Sequence, residues 1–131
     1  MQPESFALWS PGTTRQKSDF SVRLGTESDV EACVRLVVAI GAGEEDAWRQ
    51  TLTRTVRDGV RRAPFVAEAE GQVAGYGRVV FAGKEPGMAE AAPPGWYLLG
   101  LVVSQAWRRR GIGEALTRAR MGWVAQRADQ L

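Results

Sequence analysis

Apolar and polar residues alternate through Phe20-Ser-Val22-Arg-Leu24, the period of a strand with one buried face. Ser28-Asp-Val-Glu31 then has the spacing of a capping box, in which Ser28 and Glu31 satisfy free amides at a helix start. Val30, Cys33, Val34, Val37 and Ile40 recur at helical spacing, and Gly41-Ala-Gly43 predicts the end of that helix. A second helical pattern carries Trp48, Leu52, Val56 and Val60 on one side. Glu44, Glu45 and Asp46 sit at its start, where carboxylates suit the helix dipole. Residues 65–69, the pair Glu70-Gly71 and residues 73–81 predict a hairpin. Gly75 and Gly77 in its second arm predict a bulge or a close approach by another backbone. Residues 82–95 contain three Pro and three Gly and read as a loop. The nearly unbroken apolar run from Trp96 to Val103 predicts a strand buried on both faces. Ile112, Leu116, Ala119 and Trp123 predict a final amphipathic helix, with Glu114 and Arg118 as a favourable i,i+4 pair.

Composition narrows the class. A chain of 131 residues, 44% hydrophobic and 24% charged, is enough for one globular domain. No apolar run approaches the roughly 18 residues that span a membrane. Residues 1–19 form a polar leader punctuated by Pro and Gly, expected to be partly disordered or draped on the surface, and residues 20–131 form the domain. The leader lacks a signal-peptide plan, so a cytoplasmic protein is expected. There is no histidine, which excludes Ser-His and Cys-His pairs and His-ligated metals. The single cysteine, Cys33, excludes an internal disulfide and a thiolate zinc cluster, and its place on an apolar helix face marks it as a core residue.

Charge is uneven. Residues 108–131 hold six arginines against Glu114 and Asp129, while the remainder has eleven basic and thirteen acidic residues. The local excess implies an anionic partner. Nucleic acid is disfavoured, because there is no extended basic footprint and no aromatic interleaving for base stacking. The densest charge, Trp107-Arg108-Arg109-Arg110-Gly111-Ile112-Gly113, lies between a buried strand and a helix start. Helix N-termini offer unpaired N–H groups and a positive dipole end, glycine lets backbone approach a ligand, and arginine binds phosphate oxygens. Together they make a pyrophosphate cradle. No Walker loop is present, and Leu116 and the seven residues after Val103 do not fit a dinucleotide fingerprint.

Leu101-Val-Val-Ser-Gln-Ala-Trp-Arg108-Arg-Arg-Gly111-Ile-Gly113 resembles the coenzyme A motif of the GNAT acetyltransferase superfamily, with Arg108, Gly111 and Gly113 at its fixed positions. The resemblance covers residues 20–131. It implies an α/β (α+β) fold in β-α-α-β-β-β-α order, with a mixed, mostly antiparallel central sheet flanked by helices. It implies that the amides from Arg108 through Arg109, Arg110, Gly111 and Ile112 to Gly113 cradle the pyrophosphate of acetyl-CoA. Leu101, Val102 and Val103 would pair with the pantetheine arm as a strand would, and the Val103 amide would stabilise the oxyanion. The activity implied is acetyl transfer to a primary amine of a small molecule or peptide by direct attack, without metal, membrane or nucleic acid. The family continues after this helix with a further strand and helix, and many members keep a tyrosine general acid there. The expectation is therefore a C-terminally truncated copy that either is a fragment or forms a homodimer through the exposed edge of the 96–103 strand. No base stands on that strand, and Glu68, Glu90 and Glu44–Asp46 are positional candidates only. The alternative reading is a non-catalytic CoA-binding or dimerisation module.

Overall fold

The computed structural model describes residues 19–41, 43–82 and 95–127. The leader, most of the 82–95 loop and Glu90 thus lie outside the described residues. Strand β1 (Phe20–Leu24) leads through a 3-10 turn (Glu27–Asp29) into helix α1 (Val30–Ala39), followed by helix α2 (Glu45–Asp58). Strands β2 (Arg62–Ala69), β3 (Gln72–Ala82) and β4 (Gly95–Val103) follow, and helix α3 (Ile112–Arg127) comes last. This is the order read from the sequence. The four strands lie in the order β1-β2-β3-β4, each antiparallel to its neighbour.

The sheet separates two cores. On one face Val34, Val37 and Leu52 from α1 and α2 pack on Val66, Tyr76 and Val102. On the other, Ile112, Leu116 and Trp123 from α3 pack on Phe65, Ala67 and Val79. Cys33 belongs to the first core, and burial pushes its thiol up to about 12. A Cβ at Gly75 would lie 2.7 Å from Ile112 Cγ2, and one at Gly77 would lie 2.9 Å from Arg120 Cζ. The glycines in β3 therefore serve a close approach by side chains of α3 rather than by another backbone. The register of this strand shifts on both sides: against β2 between Ala67 and Glu68 of that strand, and against β4 between Tyr76 and Arg78. The hairpin turn is as expected, with Glu70 and Gly71 both at positive φ.

Three expectations are corrected. The capping box sits two residues earlier: Asp29 accepts the Thr26 amide at 2.7 Å, while Glu31 accepts Arg49 instead. Asp29 wins because Arg23 reaches it as well, at 2.8 Å. Val60 is not on the apolar face of α2, which ends at Asp58, and it stands 60% exposed. Strand β4 is not buried on both faces. It is an edge strand among the described residues, where only Val102 is buried and Leu98 and Leu101 are exposed. An apolar run does not distinguish a central strand from an edge awaiting a partner. Among the described residues no helix is long and apolar enough to cross a membrane.

Asp29 also gives the fold a pH dependence. The Arg23 guanidinium holds its carboxyl below the usual range against the opposing pull of burial, and the Thr26 amide adds to the effect. A lowered folded-state value means stability present above the unfolded value near 4 and lost as pH falls through the folded one. Asp29→Asn is expected to lose about 1–3 kcal/mol at neutral pH. Chemical denaturation should show this difference shrinking below about pH 4, as the parent protein protonates too.

Candidate functional site

The exposed edge of β4 and the start of α3 meet at one end of the sheet. Val103 faces Gly75 across the ladder, and the Ser104 amide donates to the Ala74 carbonyl at 2.8 Å. In an antiparallel pair that bond brackets a non-hydrogen-bonded position, so the N–H and C=O of Val103 turn away from β3. The carbonyl receives Arg108 Nε at 3.1 Å. The N–H faces the open edge.

The connection to α3 reverses the chain tightly. A 3-10 turn spans Gln105–Trp107, Arg108 is extended, and Arg109 and Gly111 have φ of 65° and 93°. A left-handed arginine costs on the order of 1–2 kcal/mol, whereas Gly111 takes that conformation freely. The first bond of the helix runs from the Ala115 amide to the Gly111 carbonyl at 3.0 Å. The amides of Ile112, Gly113 and Glu114 thus precede any intrahelical acceptor and form the positive end of a sixteen-residue helix.

These parts enclose an open cleft of about 360 Å³. Leu101, Val102, Val103, Arg108, Arg109, Gly111, Ile112 and Gly113 all line it. Arg110 does not; its guanidinium stacks 4.6 Å above the Trp107 ring. The Arg108 amide is engaged with the Gln105 carbonyl at 3.4 Å, so the cradle amides begin at Arg109. Sequence reasoning gave no role here to Trp107 or Ile40, yet both line the cleft. Ile40 was legible only as the last apolar position of α1; it caps that helix and is 51% exposed rather than packed in the core.

Among the described residues the cleft is lined by two cations and no carboxylate. Glu68 pairs with Arg23 at the β1–β2 side of the sheet, and Glu45 and Asp46 pair with Arg49. Glu44 is the N-cap residue of α2. No group of residues able to hold a metal occurs among the described residues. The site therefore offers hydrogen-bond donors and positive potential to an elongated anionic ligand with an apolar arm.

A sequence model of the Acetyltransferase (GNAT) family matches residues 33–130. Among solved structures, the chain is similar to the aminoglycoside N-acetyltransferase AAC(6')-Iy in complex with CoA, with TM-score 0.68 and 21% identity. That match covers 82% of this chain and 70% of the other. It is also similar to the aminoglycoside 6'-N-acetyltransferase AAC(6')-Ih from Acinetobacter baumannii, with TM-score 0.67, 20% identity and coverage of 83% and 74%. A GCN5-related N-acetyltransferase from Ralstonia eutropha matches with TM-score 0.64 and 24% identity, over 83% of this chain and 78% of that one. At these identities the likeness is one of fold. No curated protein sequence matches the chain.

Proposed function

The chain belongs to the GNAT acetyltransferase family, and from that premise we propose that it moves acetyl from acetyl-CoA to a primary amine by direct attack. The observation that carries this reading is the convergence, in one cleft, of an outward-facing Val103 amide with the amino end of α3. In this reading the amides of Arg109 to Gly113 and the dipole of α3 hold the pyrophosphate. Arg108, fixed by its bond to the Val103 carbonyl, adds its remaining N–H groups and braces the edge. The pantetheine arm lies along residues 101–103 as an added strand.

The Val103 N–H donates to the thioester oxygen, and donates more strongly as that oxygen gains charge. The neutral amine attacks the carbonyl carbon, the C–N bond forms, the C–S bond breaks, and the sulfur departs as the CoA thiolate. One proton of the amine is surplus. With no carboxylate among the described residues that line the cleft, that proton passes to the thiolate, directly or through water, and completes the CoA thiol.

The lack of an acid or base among the described residues that line the cleft favours a second reading, a CoA-binding or dimerisation module that keeps the cradle without the chemistry. The exposed Leu98 and Leu101 on the β4 edge are where a second copy would add its strand. Calorimetry with CoA beside a thiol-release assay over a panel of amines decides between them. The acetyltransferase reading expects CoA binding and turnover of at least one amine class. CoA binding with no turnover, in a chain that light scattering shows to be dimeric, establishes the module instead.

A further inference from the structure

Resting on the acetyl-transfer reading, we propose that Arg78 and Tyr76 form an anion subsite for the acceptor, whose substrate class is a small amine bearing a carboxylate. Among the described residues, two buried side-chain polar atoms find no hydrogen-bond partner: the Tyr76 hydroxyl and Arg78 Nε. Both side chains border Gly100. A Cβ added to Gly100 would lie 3.6 Å from Arg78 Nε and 3.6 Å from Tyr76 Cε2. Gly100 itself has φ of 69°, a left-handed backbone that excludes most side chains, so no side chain from this position comes between Arg78 and Tyr76. The Arg78 guanidinium extends across the Trp48 ring, with Cζ 5.7 Å from its centroid, and makes no ion pair among the described residues.

The chemistry of this group is one-sided. Tyrosine O–H and guanidinium N–H are donors, and a buried donor left unsatisfied is unfavourable. What completes them is a compact anion with several acceptor oxygens, which a planar guanidinium grips in a fork. Burial drives the Tyr76 hydroxyl pKa upward, so it remains a donor at neutral pH. The place is also apt. Gly100 directly precedes Leu101, which lines the coenzyme cleft. The subsite lies on the α1–α2 face, apart from the cradle at α3. A carboxylate held here would leave an amine on a short tether free to reach the thioester end of the cleft. The same uncompensated arginine repels a polycation.

The test uses the 131-residue chain with acetyl-CoA and ω-amino acids of increasing length, each beside its amide, together with spermidine. Thiol release should favour at least one amino acid over its amide by about tenfold or more in kcat/KM, with spermidine poorest. Arg78→Met should erase that preference and Tyr76→Phe should reduce it. CoA affinity, measured by calorimetry, should stay unchanged in both variants. Tyr76→Phe removes only an unsatisfied hydroxyl, so its fold is expected to persist. Calorimetric titration of the preferred ω-amino acid into the CoA complex supplies a readout without turnover. Binding that depends on Arg78 but gives no acetylation would uphold the subsite and sink the transfer reading. Turnover of amines with no carboxylate preference, or a preference that survives Arg78→Met, would overturn the subsite and leave the transfer reading standing. Absence of any Arg78-dependent binding overturns it as well.

Discussion

Gly113→Val is expected to weaken coenzyme A binding by about 100-fold or more and to leave the fold standing. A Cβ at this position would meet only Leu101 Cδ2, at 3.7 Å, which is ordinary contact. Its φ is not in the left-handed range, so a side chain brings no backbone strain of the kind expected at Gly111, whose φ is 93°. The two glycines are therefore different tests. Substituting Gly111 disturbs the reversal before α3 as well as the ligand, and its effects would be mixed. Substituting Gly113 puts two methyl groups into the cleft beside amides that have no acceptor inside the helix. A bulge of that size in a phosphate site is expected to weaken binding by about 100-fold or more, equivalent to about 2.7 kcal/mol. The melting temperature should change little, because glycine is the poorer helix former. Calorimetry with CoA beside thermal denaturation reads both quantities. Normal CoA affinity in Gly113→Val would remove the cradle from this loop.

The elements of this fold were legible because each has its own period. The 3.6-residue repeats of α1 and α3 and the turn chemistry of Glu70-Gly71 agree with the observed chain, and the alternation in β1 holds for Phe20 and Val22 but not for Leu24, which is 48% exposed. The cradle was legible because glycines beside a helix start and clustered arginines form a local pattern. What escaped was set by partners distant in sequence. Whether Ser28–Glu31 or Thr26–Asp29 forms the box depends on Arg23 and Arg49, which bid for the carboxylates from elsewhere. Whether β4 is central or at the edge depends on what pairs with its outer side, and no residue within 96–103 encodes that. Ile40 looks like any last core position until the cleft is seen beneath it. Tyr76 and Arg78 sit in a strand pattern that says only which face each occupies; their lack of partners is a three-dimensional fact.

Arg120→Ala should cost a large part of the stability of this domain, and Arg120→Met should recover only part of that loss. The residue is on the inner side of α3 and just 3% exposed, an unusual place for a permanent cation. It makes no ion pair among the described residues. Its guanidinium instead serves backbone carbonyls: Nη1 reaches Arg78 O at 3.3 Å and Leu99 O at 3.2 Å, and Nε reaches Leu116 O at 3.2 Å. Arg78 and Leu99 face each other where the β3–β4 register shifts, so both carbonyls lie at the irregularity that precedes the left-handed Gly100. Gly77 beneath leaves the room that the guanidinium occupies. Burial lowers the pKa of Arg120, the sign of a charge held at some expense by these contacts. Truncation to alanine opens a cavity and strands the carbonyls, for a combined loss of about 4–6 kcal/mol out of the roughly 5–15 that a domain of this size has. Methionine refills the volume without donors, so about 1–3 kcal/mol should remain lost. Because well-packed apolar groups often replace buried charges without penalty, the methionine variant is the sharper experiment. Urea denaturation of the three proteins gives the order parent, Met, Ala. A methionine variant as stable as the parent would mean that water satisfies the two carbonyls and that the irregularity of β4 does not need its arginine.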